Sequence, residues 1–339
     1  MQLKEFFFKI SFFYKLIPVN FLMKLARKSI LFPFYHFVDS GNNNNIVNQL
    51  YKPKTEEQFI EDIKFFKKHF ISLSITDLKS KRSGVNEYGF FLSFDDGLSN
   101  FYKVVAPILL KEKVYAINFL NSNFIDNKKL FYRYKVNLLI NSLQKQDLQV
   151  SEKQVIQQLF HLQKFNKKKI FSALKKMTIK ETNILNQLAA ILKIDFSDYL
   201  KNEKPYLCKK QILELIDKGF FFGAHSKNHP RYALISIEDQ LKETLESVKE
   251  IEEQFNIKNL SFSFPFSDDG VSKEFFEKIA HHKMITFGTA GLKDESIENH
   301  FQRIPMEYNT IYSAETIVKG ELIYYVLKRF FGRHKKSRN

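Results

Sequence analysis

The sequence predicts an α/β protein in which about seven parallel strands form a barrel or near-barrel with helices on its outside. Two observations lead to this fold class. Short apolar runs typical of buried strands alternate with helical patterns along much of the 339-residue chain, which favours parallel pairing through helical crossovers. Polar clusters follow directly after two of these runs, and functional side chains gather at the carboxyl ends of strands in such folds.

The elements can be placed in chain order. Strand composition occurs at residues 30–37, 71–75, 90–94, 114–120, 220–224, 260–264, 284–289 and 302–306. Helices are predicted over about 55–69, 100–111, 209–218, 236–255, 272–281 and 313–331, with capping residues Thr55, Ser236 and Ser313 at three of their starts. Gly41 and the four asparagines after it predict a loop.

The alternation stops between residues 122 and 205, where Lys- and Gln-rich patterns predict helices such as 134–144, 152–164 and 181–193. We therefore expect four parts: an amphipathic basic segment (1–29), a barrel (30–121 and 206–312), a helical insertion (122–205), and a C-terminal helix with a basic tail (313–339). The insertion is expected to cap the barrel mouth. Its candidates for contact with a substrate are Asp126, Lys128, Tyr132 and Arg133, with packing or solvation as the alternative.

Composition indicates a globular protein with a sizeable core, since 44% of residues are hydrophobic and 27% are charged. The formal net charge of +16 suits an anionic partner such as a membrane surface, nucleic acid or an acidic glycan. The lysines are scattered, so a generally Lys-rich composition explains the charge equally well. No nucleic-acid-binding motif is present. The single Cys208 excludes an intrachain disulfide and a cysteine-based zinc site.

Both ends of the chain combine apolar and basic residues. Residues 1–35 are rich in Phe, Leu and Ile but are interrupted by charges, so no uncharged run is long enough to cross a bilayer. The segment also lacks a clean signal-peptide pattern. It is expected either to lie on a membrane surface or to pack on the domain as a helix. The basic residues after 331 suit an anionic membrane or a solvated end. These features predict a cytoplasmic protein with peripheral contact to the inner membrane face.

The strand at 90–94 ends in two adjacent carboxylates, Asp95 and Asp96, followed by Gly97. Adjacent negative charges repel each other and are costly to bury. The stretch is therefore either a solvent-exposed turn, for which Asp-Gly is common, or a site where a cation meets the carboxylates.

A second polar cluster follows the strand at 220–224 and reads His225-Ser226-Lys227-Asn228-His229-Pro230. Histidines four residues apart can face the same way on one helical turn, and neutral imidazoles are common zinc ligands. Alone, such a pair is more often an ordinary surface or core feature. Together with a carboxylate from the same sheet it makes three ligands with open positions, which is typical of a catalytic metal site. The spare carboxylate can then act as a base towards water.

These two clusters resemble the first two motifs of the polysaccharide deacetylases (carbohydrate esterase family 4, the NodB homology domain). Phe262-Ser263-Phe264-Pro265-Phe266 resembles the third. The resemblance covers roughly residues 30–121 and 206–306. It implies a distorted (β/α) barrel and hydrolysis of acetamido groups on sugars. By position it implies Asp95 as catalytic base, Asp96, His225 and His229 as ligands of a divalent metal, most often Zn²⁺, and Pro265 and Phe266 as part of the substrate wall.

The sequence departs from the family pattern at two places. Ser263 stands where the third motif carries the arginine that orients the base. Arg303 is a candidate substitute or a substrate contact, with an ordinary surface or interface arginine as the alternative. The late leucine-x-histidine motif that supplies the general acid is not apparent, and His281, His282 and His300 lie in poor contexts. His36, in Tyr35-His36, resembles the acid of a branch with an N-terminal tyrosine-histidine. Its alternative is a buried, hydrogen-bonded core histidine.

The sequence thus predicts a metal-dependent hydrolase that removes N-acetyl groups from an amino sugar in a polysaccharide, glycolipid or cell-envelope precursor. Three alternatives remain open: a glycan-binding protein of the same fold without turnover, a nucleic-acid-binding protein, and a deacylase acting on an O-acyl ester. The repeated pair Asp268-Asp269 is interpreted as loop and helix-entry chemistry, or else as part of the rim of the site.

Overall fold

Eight parallel strands form the central sheet of the structure, a computed structural model that describes residues 2–41, 53–80, 87–258, 261–308 and 312–338. We number them β1 (Pro33–Tyr35), β2 (Leu92–Phe94), β3 (Ala116–Leu120), β4 (Phe221–Ala224), β5 (Ser261–Ser263), β6 (Ile285–Gly288), β7 (His300–Gln302) and β8 (Ile304–Pro305). Their order in the sheet is β7-β6-β5-β4-β3-β2-β1-β8. The predicted fold class, a parallel barrel with helices outside, is confirmed.

The barrel is nearly closed by one extended segment. The two edge strands, β7 and β8, are consecutive in the chain and are separated only by Arg303. The Arg303 N–H donates to the carbonyl of Gly288 on β6 at 3.1 Å, and the next N–H, of Ile304, donates to Phe32 beside β1 at 2.8 Å. The segment therefore pairs with both edges of the sheet, and it places Arg303 at the junction.

Two predicted strands are divided in the structure. Ile30–Leu31, Ile71–Ser72 and Gly89–Phe90 form a separate parallel three-stranded sheet, so residues 30–37 and 90–94 each contribute to two sheets. The break falls at Phe32 and Phe91, whose rings lie 6.0 Å apart in a cluster with Phe287. The prediction of strand through residue 75 is wrong because Ser74 caps the short helix Ile75–Lys79.

The barrel helices agree with the predicted ones to within a few residues, and their cap residues are confirmed. They are Glu56–His69, Ala106–Glu112 with a preceding π-helical turn Phe101–Val105, Lys209–Asp217, Ile237–Phe255, Lys273–Ile279 and Ala314–Phe330. Thr55, Ser236 and Ser313 each accept a hydrogen bond from the first turn of their helix. A two-stranded parallel pair, Val38–Asp39 with Lys54–Thr55, flanks the barrel. Asn42 to Asn45 of the predicted loop lie outside the described residues.

Residues 122–205 form a helical layer with its own hydrophobic cluster. Its helices are Tyr132–Lys145, Val150–Leu159, Lys167–Lys176, Thr182–Ile191 and Phe196–Glu203. The helices at 167–176 and 196–203 were not predicted, although Asn166 and Asp195 cap them with side-chain hydrogen bonds.

The two ends of the chain meet on the C-terminal helix. Helices Gln2–Lys9 and Val19–Ala26 pack against Ala314–Phe330, and the Lys319 ammonium donates to the Lys15 carbonyl at 2.6 Å. Among the described residues, no helix combines the length and the apolarity needed to cross a membrane. The last residues fold back onto the barrel, where Lys336 and Arg338 contact Asp268.

Candidate active site

The carboxyl end of β2 places two buried carboxylates at the barrel mouth. Asp95 and Asp96 are 2% and 3% exposed, so a solvent-exposed turn does not describe them. Asp96 has a φ of 75° and Gly97 of 62°, a left-handed turn that directs the two adjacent side chains differently. A Cβ on Gly97 would lie 2.9 Å from the Leu120 side chain, so this turn requires glycine.

Asp96 faces the two histidines that follow β4. Its Oδ1 atom lies 3.3 Å from Nε2 of His225 and 3.0 Å from Nε2 of His229. The histidines lie on a loop and not on a helical turn. Ser226 and His229 have positive φ values of 67° and 55°, and this unusual backbone, in place of helical spacing, brings the rings within 4.8 Å of each other.

This group fits a divalent metal. One ligand atom from each of Asp96, His225 and His229 lies within 4.8 Å of the others, and all three residues are buried. Nδ1 of His225 lies 2.7 Å from the Ser263 carbonyl, a contact that orients Nε2 towards Asp96. Burial lowers the pKa of His229, which keeps the imidazole neutral and able to coordinate. Two imidazole nitrogens and one carboxylate are a common catalytic zinc set.

Asp95 is held separately, by Arg303. The guanidinium donates to both carboxylate oxygens, at 2.8 and 2.7 Å, and also to the hydroxyl groups of Ser93 at 3.0 Å and Ser263 at 2.6 Å. Arg303 is 0% exposed, so its interpretation as a surface or interface arginine is wrong. The segment that closes the barrel turns this side chain inward, over the ring of Phe34.

This environment keeps Asp95 ionised. Burial raises the pKa of the Asp95 carboxyl. The charge of Arg303 and its hydrogen bonds act in the opposite direction and outweigh burial, so the pKa lies below its ordinary value. The Ser263 hydroxyl also donates to Asp95 at 3.3 Å. Ser263 therefore contacts the base directly and leaves room for the guanidinium of Arg303, which reaches Asp95 from another strand.

His36 follows β1 and pairs with Glu307, which follows β8. Its Nδ1 atom lies 2.6 Å from Oε2 of Glu307, and the same carboxylate accepts hydrogen bonds from the backbone N–H groups of His36 and Phe37. Burial lowers the pKa of His36, but Glu307 raises it more, and Asp96 and Asp95 add to the rise, to a pKa of about 9. His36 is half-buried. Its ring packs on Phe34, with the centroids 5.5 Å apart, as well as binding Glu307.

Glu307 was not recognised in the sequence. It lies two residues beyond β8, and carboxylates beyond the ends of parallel strands were the signal that identified Asp95 and Asp96. The same rule applied to the last strand would have found it.

Pro265 and Phe266 follow β5, and Phe266 borders His229. The Phe266 ring centroid is 4.6 Å from that of His229, and its φ is 59°. From the insertion, the Phe131 ring lies 4.4 Å from His229, so the helical layer reaches the site. Lys128 and Tyr132 line a neighbouring cavity. Asp126 accepts a hydrogen bond from the Lys209 backbone at 2.7 Å, a contact that links the insertion to the barrel.

Asp268 belongs to a different, buried cluster, and its interpretation as helix-entry chemistry is wrong. It is 1% exposed and contacts Nε2 of His300 at 3.0 Å. The C-terminal tail supplies Arg338, which binds Asp268 at 2.6 Å and Glu295 at 2.5 Å, and Lys336, 3.3 Å from Asp268. Because two cations already balance these carboxylates, the cluster does not fit a metal. Lys336 and Arg338 thus serve an internal contact, whereas Arg333 and Lys335 are exposed.

Comparisons with known proteins bear on the family and the fold of the chain. The polysaccharide deacetylase family model matches residues 84–284. Among solved structures, the Streptococcus pyogenes deacetylase PplD aligns with 86% of this chain and 97% of its own, at 15% identity and a TM-score of 0.53. IcaB of Ammonifex degensii aligns with 87% of this chain and 97% of its own, at 12% identity and a TM-score of 0.52.

A de-N-acetylase from Aggregatibacter actinomycetemcomitans also shares the fold, at 16% identity and a TM-score of 0.51 over 86% of this chain and 99% of its own. No curated protein sequence matches the chain. The family match spans more than half of the 339 residues and includes both clusters at the barrel mouth. The chain therefore belongs to the polysaccharide deacetylase family, whose members are hydrolases that remove acetyl groups.

Proposed function

We propose that the protein is a metal-dependent N-deacetylase acting on an amino sugar of a polysaccharide, glycolipid or cell-envelope precursor. The observation that carries the proposal is that two adjacent carboxylates have different partners. Asp96 lies with His225 and His229, whereas Asp95 is bound by Arg303. The three-ligand set favours Zn²⁺. When bound, the metal would polarise the acetyl carbonyl and make water more acidic.

The protein's own residues supply the proton transfers. Asp95, held ionised by Arg303, takes a proton from the attacking water. The negative charge that develops on the acetyl carbonyl oxygen is stabilised by a backbone N–H near Phe266, a donor that does not depend on side-chain identity. His36, with a pKa of about 9, is protonated at neutral pH and donates to the departing amine. Acetate and a free amino sugar leave.

Pro265 and Phe266 form the substrate wall beside the histidines, and Arg303 acts as the positioning residue for the base. Glu307 plays the same part for His36, since it binds both the ring and the adjacent backbone. The tyrosine-histidine at the end of β1 supports assignment to the branch of the family that places its acid there.

Two other functions could use the same residues: hydrolysis of an O-acyl ester, and glycan binding without turnover. One experiment distinguishes all three. The metal-loaded protein is incubated with N-acetylated amino sugars, free and lipid-linked, and with an O-acetylated sugar, and released acetate is measured. N-deacetylation predicts acetate from the acetamido substrates. Acetate from the O-acetylated sugar alone would instead indicate an esterase. Glycan binding without acetate release would indicate a protein of this fold without turnover.

We further propose that the N-terminal helices hold the protein on an anionic membrane at the cytoplasmic face. Several large apolar side chains there are exposed, including Phe12 (83%), Phe13 (81%) and Leu16 (95%). The neighbouring Lys9, Lys15, Lys24 and Arg27 are also exposed, and Glu5 is the only acidic residue in the first 35. Apolar side chains ringed by basic ones suit the interface of a bilayer with anionic lipids.

Vesicle sedimentation tests this location. The protein should bind vesicles containing phosphatidylglycerol and bind phosphatidylcholine vesicles poorly. Phe12→Ser with Phe13→Ser should weaken binding, whereas Val150→Ser, which removes a 72% exposed apolar side chain from the insertion, should not. Self-association in analytical ultracentrifugation without vesicle binding would assign the surface to a second copy of the chain.

A further inference from the structure

Two arginines lie at the rim of the site without a carboxylate partner among the described residues. The guanidinium carbons of Arg231 and Arg133 lie 4.8 and 5.6 Å from the centre of the Phe266 ring. That ring contacts His229, so one aromatic side chain separates both arginines from the proposed metal ligands. Two like charges around one ring repel each other, and an oxyanion between them would relieve the repulsion.

The Tyr132 hydroxyl adds a donor at the same place. The side chain is 4% exposed, and its hydroxyl has no acceptor for its proton in the part of the chain that the structure describes. Burial raises the pKa of Tyr132, while the charges of Arg133 and Arg231 and their hydrogen bonds to the hydroxyl oxygen lower it. A buried hydroxyl without an acceptor is costly, and a bound oxyanion would supply one.

A basic cavity continues from this point into the insertion. It has a volume of about 340 Å³ and is lined by Tyr132, Asn228, Lys128, Lys129 and Lys135, together with the hydroxyl-bearing Thr182 and Ser197. None of the lining residues is acidic. Asn228 lies in the histidine loop and Tyr132 lies beside the two arginines, so these two lining residues connect the cavity with the region of the arginines.

We propose that the substrate carries an oxyanion next to the acetylated sugar, and that Arg133, Arg231 and Tyr132 bind it. The inference rests on the proposed deacetylase function and deepens it, since it assigns the substrate class. Guanidinium groups match both phosphate and carboxylate with paired hydrogen bonds. The oxyanion is therefore a phosphate ester on the sugar or the carboxylate of a neighbouring uronic acid, and the three lysines accompany the rest of the anionic chain.

Equilibrium binding tests the proposal without relying on turnover. Calorimetry compares glucose 1-phosphate, methyl glucuronide and methyl glucoside, none of which carries an acetyl group. The wild-type protein should bind at least one anionic sugar at least tenfold more tightly than methyl glucoside. Phosphate and carboxylate sources are separated by which of the two anionic sugars shows the preference.

Variants assign the preference to the arginines. Arg133→Gln with Arg231→Gln should reduce the anionic preference at least tenfold, and Arg231→Lys should restore only part of the loss from Arg231→Gln, because lysine keeps the charge without the paired donors. The matched control, Lys164→Gln, removes an exposed charge from the insertion away from this cavity and should keep the preference.

The same variants are then assayed for acetate release from N-acetylglucosamine 1-phosphate and methyl N-acetylglucosaminide. Equal binding of charged and neutral sugars by the wild type, or a preference that survives in the double variant, would overturn the proposal even if the protein is an active deacetylase. Conversely, selective and arginine-dependent binding without acetate release from any substrate would support this anion site and contradict the proposed function.

Discussion

Arg303 binds Asp95 through two parallel hydrogen bonds of 2.8 and 2.7 Å, although the two residues are 208 positions apart in the chain. The pair joins the segment that closes the barrel to the end of β2. Both side chains are almost fully buried. Such a pair is stable only when its hydrogen-bonding groups have partners, and here the two side chains bind each other and the hydroxyls of Ser93 and Ser263. The segment whose backbone pairing closes the barrel therefore also orients the proposed base, through the side chain of Arg303.

Replacement of Arg303 tests how far the stability of the fold and the pKa of Asp95 depend on this side chain. Arg303→Met leaves the Asp95 charge buried without a partner, and we expect a loss of about 3–5 kcal/mol in the free energy of unfolding, measured by urea denaturation. Arg303→Lys retains a charge and should lose less stability. Because Arg303 lowers the pKa of Asp95, a weaker partner raises that pKa. The acidic limb of kcat/KM should then move to higher pH.

Replacement of the base tests its role directly, with the fold checked separately because the change leaves the buried Arg303 charge without its partner. Asp95→Asn keeps the size of the side chain but cannot accept a proton from water, so we expect kcat to fall by about 10²- to 10⁴-fold. Acetate release measures the loss, and circular dichroism checks the fold. Full activity of the variant would contradict the role of Asp95.

Glu307→Gln should shift the alkaline limb of the pH profile. Glu307 raises the pKa of His36 to about 9, and the acid must be protonated to donate. Without the carboxylate charge the pKa falls towards its ordinary value of about 6.5, so activity should decline at lower pH than in the wild type. An unchanged alkaline limb, with unchanged acetate release, would exclude His36 as the acid.

Metal content provides a readout apart from activity. We expect the purified protein to carry close to one divalent ion per chain by elemental analysis, and His229→Ala to bind it more weakly because one of three ligands is lost. His300→Ala is the matched control, since His300 belongs to the cluster balanced by Lys336 and Arg338. Equal metal content in both variants would contradict the assignment of the site.

The tail contact should make stability depend on acid pH. Burial raises the pKa of Asp268. His300 and the cations of the tail outweigh this effect and hold the pKa well below its ordinary value. Its contribution is therefore present above the unfolded pKa of about 4 and is lost as pH falls below it. Arg338→Gln should lower the free energy of unfolding at pH 7 and reduce this loss on acidification. Thermal unfolding at pH 7 and pH 3 measures both effects.

Local patterns were sufficient for much of the fold. Strand composition, capping residues and the alternation of elements predicted the parallel barrel, and most helix bounds agree to within a few residues. The errors occurred where a local pattern admits two structures, as at residues 71–75, where Ser74 begins a helix within an apolar run.

The sequence by itself determined the family and the candidates Asp95, Asp96, His225 and His229, because each lies directly after a recognisable strand and its surroundings are local. Only the tertiary structure decided what holds these residues. Arg303, Glu307 and Arg338 reach their partners across the closed barrel or from the folded tail, over separations of 43 to 271 residues. Sequence spacing does not specify such contacts, since they depend on how the edge strands meet. Ser263 stands where the family's third motif carries the arginine that orients the base. In this chain Arg303, from the segment that closes the barrel, occupies the place beside Asp95.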